Sequence, residues 1–173
     1  MNISSIPQLQ PALEQAFKKL EAYCQSLPDE VFFRQPEDKW SVAQQVKHLE
    51  SATRMAGLAF RLPRFIVRIV GGKPNRPSRS YDELVERYRQ KLAAGGRASG
   101  PYIPKPVAAS RGKQKMLDQL GTAMHQIGVA LNRHSETSLD NYLAPHPLLG
   151  KITLRELVYF TIYHCHHHLA GID

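Results

Sequence analysis

Eight histidines are present, and they are the residues of this sequence whose chemistry stands out. A neutral imidazole binds divalent transition metals and exchanges a proton near neutral pH. Four of the eight lie in one run near the C-terminus, Tyr-His-Cys-His-His-His-Leu, which contains His164, His166, His167 and His168. Cys165 interrupts the run, and the apolar pattern of the preceding segment continues through it. We therefore interpret the run as part of a helix and not as an affinity tag.

Helical periodicity predicts which histidines of the run face the protein interior. His164 and His168 continue the apolar face of the segment, four residues apart. His166 is expected to face outward and His167 to lie at the edge. Two inward imidazoles need partners, because a buried unsatisfied polar group costs about 1–3 kcal/mol. Spacing alone leaves two interpretations open, a metal-binding pair or histidines satisfied by hydrogen bonds.

The elements that must position these side chains are helices, because apolar residues recur three and four positions apart along the chain. Four long helices are predicted: over residues 9–27, from a capping box at Ser41 toward Pro63, over 113 to about 134, and from a capping box at Thr153 nearly to the C-terminus. No convincing strand pattern is present. The expected fold is all-α, a four-helix bundle formed by one domain over residues 1–173.

The middle of the chain is expected to be less regular than the bundle. A short extra helix is predicted over residues 81–93, after a capping box at Ser80. Residues 71–80 and 95–113 are rich in Gly, Pro and Ser, which predicts irregular, mobile linkers. Neither linker is expected to be a domain boundary, because no independent hydrophobic core follows it.

His48 is the natural third partner of the inward pair. It lies two turns into the second predicted helix, beside the stripe formed by Val42, Val46 and Leu49. Its position fits a metal ligand, and it also fits an edge histidine that hydrogen-bonds a neighbouring glutamine or solvent.

Two sequence motifs resemble those of a known family. Lys39-Trp40-Ser41, with His48 eight residues after the tryptophan, resembles the second-helix signature of the DinB/YfiT-like superfamily. Residues 146–156, His-Pro-Leu-Leu-Gly-Lys-Ile-Thr-Leu-Arg-Glu, lead into the histidine run and resemble the closing helix of that superfamily. The two motifs are most similar to those of a branch of this superfamily that is described as a domain of unknown function. The resemblance implies a four-helix bundle that binds one divalent metal ion through His48, His164 and His168.

A three-histidine site implies particular chemistry. Three imidazoles leave coordination positions open to water or substrate, as in catalytic zinc sites. Zinc or nickel is expected, although nitrogen ligands also suit iron and copper. Such an ion can polarise a carbonyl, activate water or stabilise a thiolate. The resemblance implies either metal-dependent hydrolysis or transfer with a low-molecular-weight thiol, acting on a small molecule.

Other residues are candidates for supporting roles. His146, in the loop before the last helix, is either a substrate-contacting or proton-transferring residue or an ordinary loop residue. Glu50 and Glu156 are the acids considered for orienting the metal ligands. Trp40 is expected to pack over one end of the bundle, with substrate stacking as the alternative. Cys165 is expected to pack between helices.

The positive charge is concentrated in one segment. Residues 61–115 hold 14 basic and three acidic residues, whereas the whole chain has a net charge of +8. Such a segment could attract a small anionic substrate, and it also supports an alternative function as a binding module for nucleic acid or an anionic membrane. Arg61, Arg64 and Arg68 fit a basic surface helix or an extension of the second helix. A nucleic-acid partner is disfavoured, because interleaved aromatic residues and a helix-turn-helix spacing are lacking.

Composition sets the expected compartment and assembly. Two cysteines are too few for a disulfide framework, and neither a signal peptide nor a membrane-spanning segment is recognisable. A cytoplasmic protein is expected, and a homodimer is the assembly we expect of such a bundle.

Overall fold

Four long helices surround a common core in the computed structural model, which describes residues 3–172. They are α1 (Ile6–Ser26), α3 (Val42–Arg61), α6 (Lys113–Leu131) and α8 (Leu154–Ala170). Helix α3 packs against α6 and α8, and α1 packs against the same two helices. The core includes the fully buried side chains of Leu9, Leu20, Leu49, Leu117, Leu120, Ile127 and Leu154. The predicted all-α bundle is confirmed.

The helix boundaries follow local sequence signals. Capping boxes at Ser41, Ser80 and Thr153 begin α3, α5 (Tyr81–Ala93) and α8, as predicted. Helix α3 ends just before Pro63, which cannot continue the hydrogen-bond pattern of a helix interior. Helix α6 ends at Leu131, three residues earlier than predicted.

Three short features were not predicted: α2 (Asp29–Phe33), α7 (Glu136–Asn141) and an antiparallel hairpin of β1 (Leu143–His146) and β2 (Gly150–Thr153). A further short helix, α4 (Arg64–Gly71), corresponds to the surface helix that was one of the two alternatives for Arg64 and Arg68. Strands of four residues are too short for alternation to be read from the sequence. Residues 64–71 form a separate helix and do not extend α3. Residues 72–80 form no helix or strand, while two 3-10 turns, Gly100–Tyr102 and Ala109–Arg111, lie in the second predicted linker.

Helix α4 and strand β1 meet in backbone contact. A Cβ atom at Gly71 would lie 1.9 Å from the carbonyl oxygen of Leu143, so a larger residue would push the two elements apart. This contact holds α4 beside the hairpin, and both elements contribute to the wall of the cavity described below.

No helix within residues 3–172 is both long enough and apolar enough to span a bilayer.

Candidate metal centre

The bundle brings His48 of α3 together with His164 and His168 of α8, and we call these three residues the histidine cluster. The Nε2 atom of His164 lies 3.1 Å from the Nε2 atom of His48 and 3.1 Å from that of His168. His48 and His164 are buried, and His168 is partly buried. Within the described residues, this is the one group of three or more His, Cys, Asp and Glu side chains close enough to hold a metal ion.

Hydrogen bonds at the other ring nitrogen orient two of the rings. Nδ1 of His48 donates to the carbonyl oxygen of Tyr102 at 2.7 Å. Nδ1 of His168 donates to Oε1 of Gln45 at 3.0 Å. Because both acceptors are oxygen atoms, each Nδ1 carries the ring hydrogen, and in the neutral ring Nε2 is left with a lone pair. Two lone pairs are therefore directed at His164.

This arrangement has more acceptors than donors. A neutral His164 carries at most one hydrogen on Nε2, so it can satisfy only one of its two neighbours. At least one buried lone pair then lacks a donor within the cluster, which is unfavourable in a protein interior. A divalent cation would satisfy all three nitrogens.

The spacing of the nitrogens also fits a metal ion. Three nitrogens about 2.0–2.1 Å from one ion are about 3.0 Å apart at right angles and about 3.4 Å apart in tetrahedral geometry. The two separations from Nε2 of His164, 3.1 Å each, lie between these values, and the ligand atoms of all three histidines lie within 4.8 Å of one another. The three histidines could therefore hold a metal ion without a large rearrangement.

Burial keeps the cluster in the protonation state that binds metal. It lowers the pKa of His48, against the opposing effect of the hydrogen bond to Tyr102. It lowers the pKa of His164 and His168 well below the ordinary value of 6.5, and the neighbouring histidines reinforce the shift. At neutral pH the three rings are neutral and need not lose a proton to bind a metal ion.

Neither of the two acids considered for orienting the ligands, Glu50 and Glu156, is paired with a histidine of the cluster. Glu50 is paired with Lys47 and Arg54. Glu156 lies at the opposite end of α8 from His164 and His168, and is paired with arginines. The orienting groups are instead a backbone carbonyl and the amide of Gln45, and a backbone carbonyl has no signature in the sequence.

Trp40 lies against the histidine cluster. Its ring centroid is 5.1 Å from that of His48, and its ring is stacked on His168 at 6.5 Å. Trp40, just before the cap of α3, therefore covers one side of the cluster. The prediction placed it over one end of the bundle and did not specify this contact with the histidines.

The remaining members of the C-terminal histidine run lie outside the cluster. His166 and His167 are half-buried, and His167 packs its ring 5.8 Å from that of Tyr88. Cys165 is fully buried, as expected. Burial raises the pKa of Cys165, and likewise that of Cys24, to about 12, so neither thiol is a nucleophile at neutral pH.

A cavity of about 280 Å³ adjoins the cluster, and His48 and His164 form part of its wall. Its other walls come from α3, α4, α5, α8, β1 with the turn that follows it, residues 97–99 and residue 102, and most of the lining side chains are apolar. A site of this kind, largely apolar with a few polar groups, is typical of small-molecule binding.

The hairpin places His146 in the wall of the same cavity. Its ring lies 4.2 Å from that of Phe160, and its Nδ1 accepts the amide hydrogens of Leu148 and Leu149 at 3.2 and 3.1 Å. Burial lowers the pKa of His146 to about 4. At neutral pH the ring is therefore neutral and carries its hydrogen on Nε2, which makes that atom a hydrogen-bond donor.

No curated protein matches the chain by sequence. The family model described as the DinB superfamily matches residues 12–172, nearly the whole chain. The chain therefore belongs to the DinB superfamily.

Proposed function

We propose that this protein is a metal-dependent enzyme in which His48, His164 and His168 hold one divalent ion, zinc or nickel. The observation that carries the proposal is the convergence of three Nε2 atoms, two of them with lone pairs fixed by hydrogen bonds on the far side of the ring. The adjoining cavity supports an enzymatic role over a purely structural one, because it gives a small molecule access to the ligands.

A bound ion would act as a Lewis acid and lower the pKa of the water or thiol that reacts. The chain's own residues supply the rest. Tyr102 and Gln45 hold two of the rings in orientation, and the apolar walls exclude water, which strengthens polar interactions inside the site. His146 offers a hydrogen bond from Nε2 to a substrate atom.

We infer that the reaction is hydrolysis or a transfer that depends on a low-molecular-weight thiol. Neither free thiol of the chain can act as the nucleophile at neutral pH, because Cys24 and Cys165 are buried and protonated. Water serves in the first case, and a small external thiol in the second. A cytoplasmic location agrees with two free cysteines, and a single domain that forms a homodimer is the form we propose.

One observation favours a second function, binding to an anionic membrane. Helix α4 leaves Phe65 66% and Ile69 77% exposed, beside Arg61, Arg64 and Arg68. Exposed apolar side chains among basic residues are typical of helices that lie in a membrane interface. Flotation with phosphatidylserine vesicles should show binding that is lost at high salt, and no binding at low salt would remove this alternative.

The metal site is tested by the metal content of protein purified without a tag or a chelating column. Wild-type protein should carry about one divalent ion per chain by mass spectrometry, and His48→Ala, His164→Ala and His168→Ala should each lose it. His166→Ala is the matched control, because His166 lies on the same helix outside the cluster. Full metal retention in all three cluster variants would overturn the proposal.

A further inference from the structure

The cavity runs along one face of α3, away from the histidine cluster. Ala52, Ala56 and Ala59 line it together with His48, and positions 48, 52, 56 and 59 follow the spacing of a single helical face. At 1.5 Å per residue, this face is about 16 Å long from His48 to Ala59. The three small side chains leave space where larger ones would fill the groove.

The other walls are apolar as well. They include Leu62, then Val67 and Val70 of α4, and Leu157 and Phe160 of α8. A ligand body lying along the alanine face would contact hydrocarbon on several sides. The favourable term for such a ligand is the removal of apolar surface from water.

Arg97 is the one Lys, Arg, Asp or Glu in the lining, as far as residues 3–172 show. It is exposed, and its Nη1 atom donates to the carbonyl oxygens of Leu92 and Gly96 at 3.3 and 2.8 Å. Other charges of the basic segment are engaged elsewhere, such as Arg76 and Arg79 on Glu156. The positive charge of residues 61–115 is therefore not gathered in the cavity.

We propose that the cavity binds an elongated apolar molecule with at most one acidic group, of the class of aliphatic or arylalkyl monocarboxylates and their neutral analogues. The apolar body lies along Ala52, Ala56 and Ala59, and Arg97 receives the acidic group. We place the reacting end of the molecule at the histidine cluster, and this placement rests on the proposed function. It narrows the expectation of a small anionic substrate, because compact polyanions are excluded.

Chain length is the first test. Calorimetric titration of the metal-loaded protein with butanoate, hexanoate and octanoate should show affinity rising about fourfold per added methylene group, the value expected for burial of each one. 1-Octanol should also bind, whereas succinate, with two charges and little apolar surface, should not. Affinity that is flat with chain length, or succinate binding as tightly as octanoate, would overturn the proposal.

Two variants test the placement. Ala59→Phe fills the far end of the groove, so it should lower the affinity for octanoate at least tenfold and leave the affinity for butanoate unchanged. Val129→Phe, at an exposed position on α6 outside the lining, is the control and should change neither affinity. Arg97→Gln should weaken octanoate but not 1-octanol, and equal octanoate affinity in this variant and the wild type would overturn the role of Arg97. If Ala59→Phe fails to fold by circular dichroism, the chain-length series still decides.

Metal content measured on the same samples separates this inference from the proposed function. Chain-length dependence in a protein that binds no metal would contradict the metal-dependent enzyme and leave the ligand class standing. A protein that binds metal but shows no dependence of affinity on chain length would contradict the ligand class and leave the metal-dependent enzyme standing.

Discussion

The two ends of α8 both bury polar side chains, but they satisfy them differently. At its N-terminal end, Glu156 accepts hydrogen bonds from both Nη atoms of Arg76 at 2.7 and 2.9 Å, and from the backbone amides of Arg79 and Thr153. We call these four residues the ion-pair cluster. At the other end, the histidine cluster has more lone pairs than donors. The first cluster is complete within the protein, and the second requires a ligand.

The difference separates a structural polar group from a binding site. Both sites are buried and both contain titratable side chains, so burial alone does not distinguish them. The balance of donors and acceptors does, because a buried group that the protein leaves unsatisfied needs a water, ion or ligand. It also explains part of the basic segment, since two of its arginines serve the fold by neutralising Glu156.

The largest effect we expect is on stability, from the ion-pair cluster. Glu156→Ala should lower the free energy of unfolding by about 3 kcal/mol, because it leaves Arg76, Arg79 and the cap of α8 without their acceptor. Urea denaturation measures the loss, and the metal affinity should be unchanged. Glu14→Ala, in an exposed pair with Lys18, is the control and should cause a much smaller loss. Equal stability of the two variants would remove the contrast between the clusters.

The next effect belongs to the histidine cluster. A free metal concentration 100 times the dissociation constant should raise the free energy of unfolding by about 2.7 kcal/mol, because the ion binds only the folded chain. Thermal melts with and without zinc measure the change. Glu156→Ala should show the same increment from a lower starting point, and His164→Ala should show none. A zinc-dependent increase that persists in His164→Ala would place the ion elsewhere.

A smaller effect is expected from the group that orients His168. Gln45→Ala should weaken metal binding about tenfold, the lower end of what loss of an orienting partner causes, with little change in stability without metal. Competition with a zinc chelator measures the affinity. Gln45→Glu should restore or strengthen binding, because a carboxylate makes a better acceptor for Nδ1. Wild-type affinity in Gln45→Ala would show that the hydrogen bond does not orient the ligand.

The smallest effect we expect from a single side chain is on how the free energy of unfolding changes with pH. The pH range of this change should differ between the histidines and the ion-pair cluster. Burial lowers the pKa of His146 to about 4 and that of His164 well below the ordinary value of 6.5. Between each lowered pKa and about 6.5, the unfolded chain therefore binds more protons than the folded chain. The free energy of unfolding of metal-free protein is therefore highest above about pH 6.5. It falls as the pH falls, by at most about 1.4 kcal/mol per pH unit for each histidine.

Glu156 acts in a lower range. Its arginine partners hold its pKa below the ordinary value of 4.5, so its contribution is present above that pH and is lost only as the pH falls through the lowered value. Denaturation at pH 7.5, 6.5 and 5.5 should show a dependence of the unfolding free energy on pH that His146→Phe reduces. Val129→Phe, at an exposed position on α6 that carries no titratable group, is the control and should leave this dependence unchanged. If the unfolding free energy of His146→Phe depended on pH as strongly as that of the wild type, the lowered pKa of His146 would be contradicted.

Much of the fold could be predicted because its signals are local. The apolar spacing of α1, α3, α6 and α8 and the capping boxes at Ser41 and Thr153 lie within single segments of the chain. The pairing of His164 with His168 is also local, since residues four apart on a helix share a face. The hairpin escaped prediction because its strands are too short to show a pattern, and with it the place of His146 in the cavity wall.

The sequence by itself determined the bundle and one pair of inward histidines, and its resemblance to a family pointed to His48 as the third. Only the tertiary structure decided what those histidines face and what holds them. Tyr102, 54 residues from His48, orients its ring, and Gln45, 123 residues from His168, orients the other. Periodicity reports which side of a helix is buried, because that depends on neighbours within a few turns. Whether a buried nitrogen finds a donor depends on loops and helices that only the folded chain brings together.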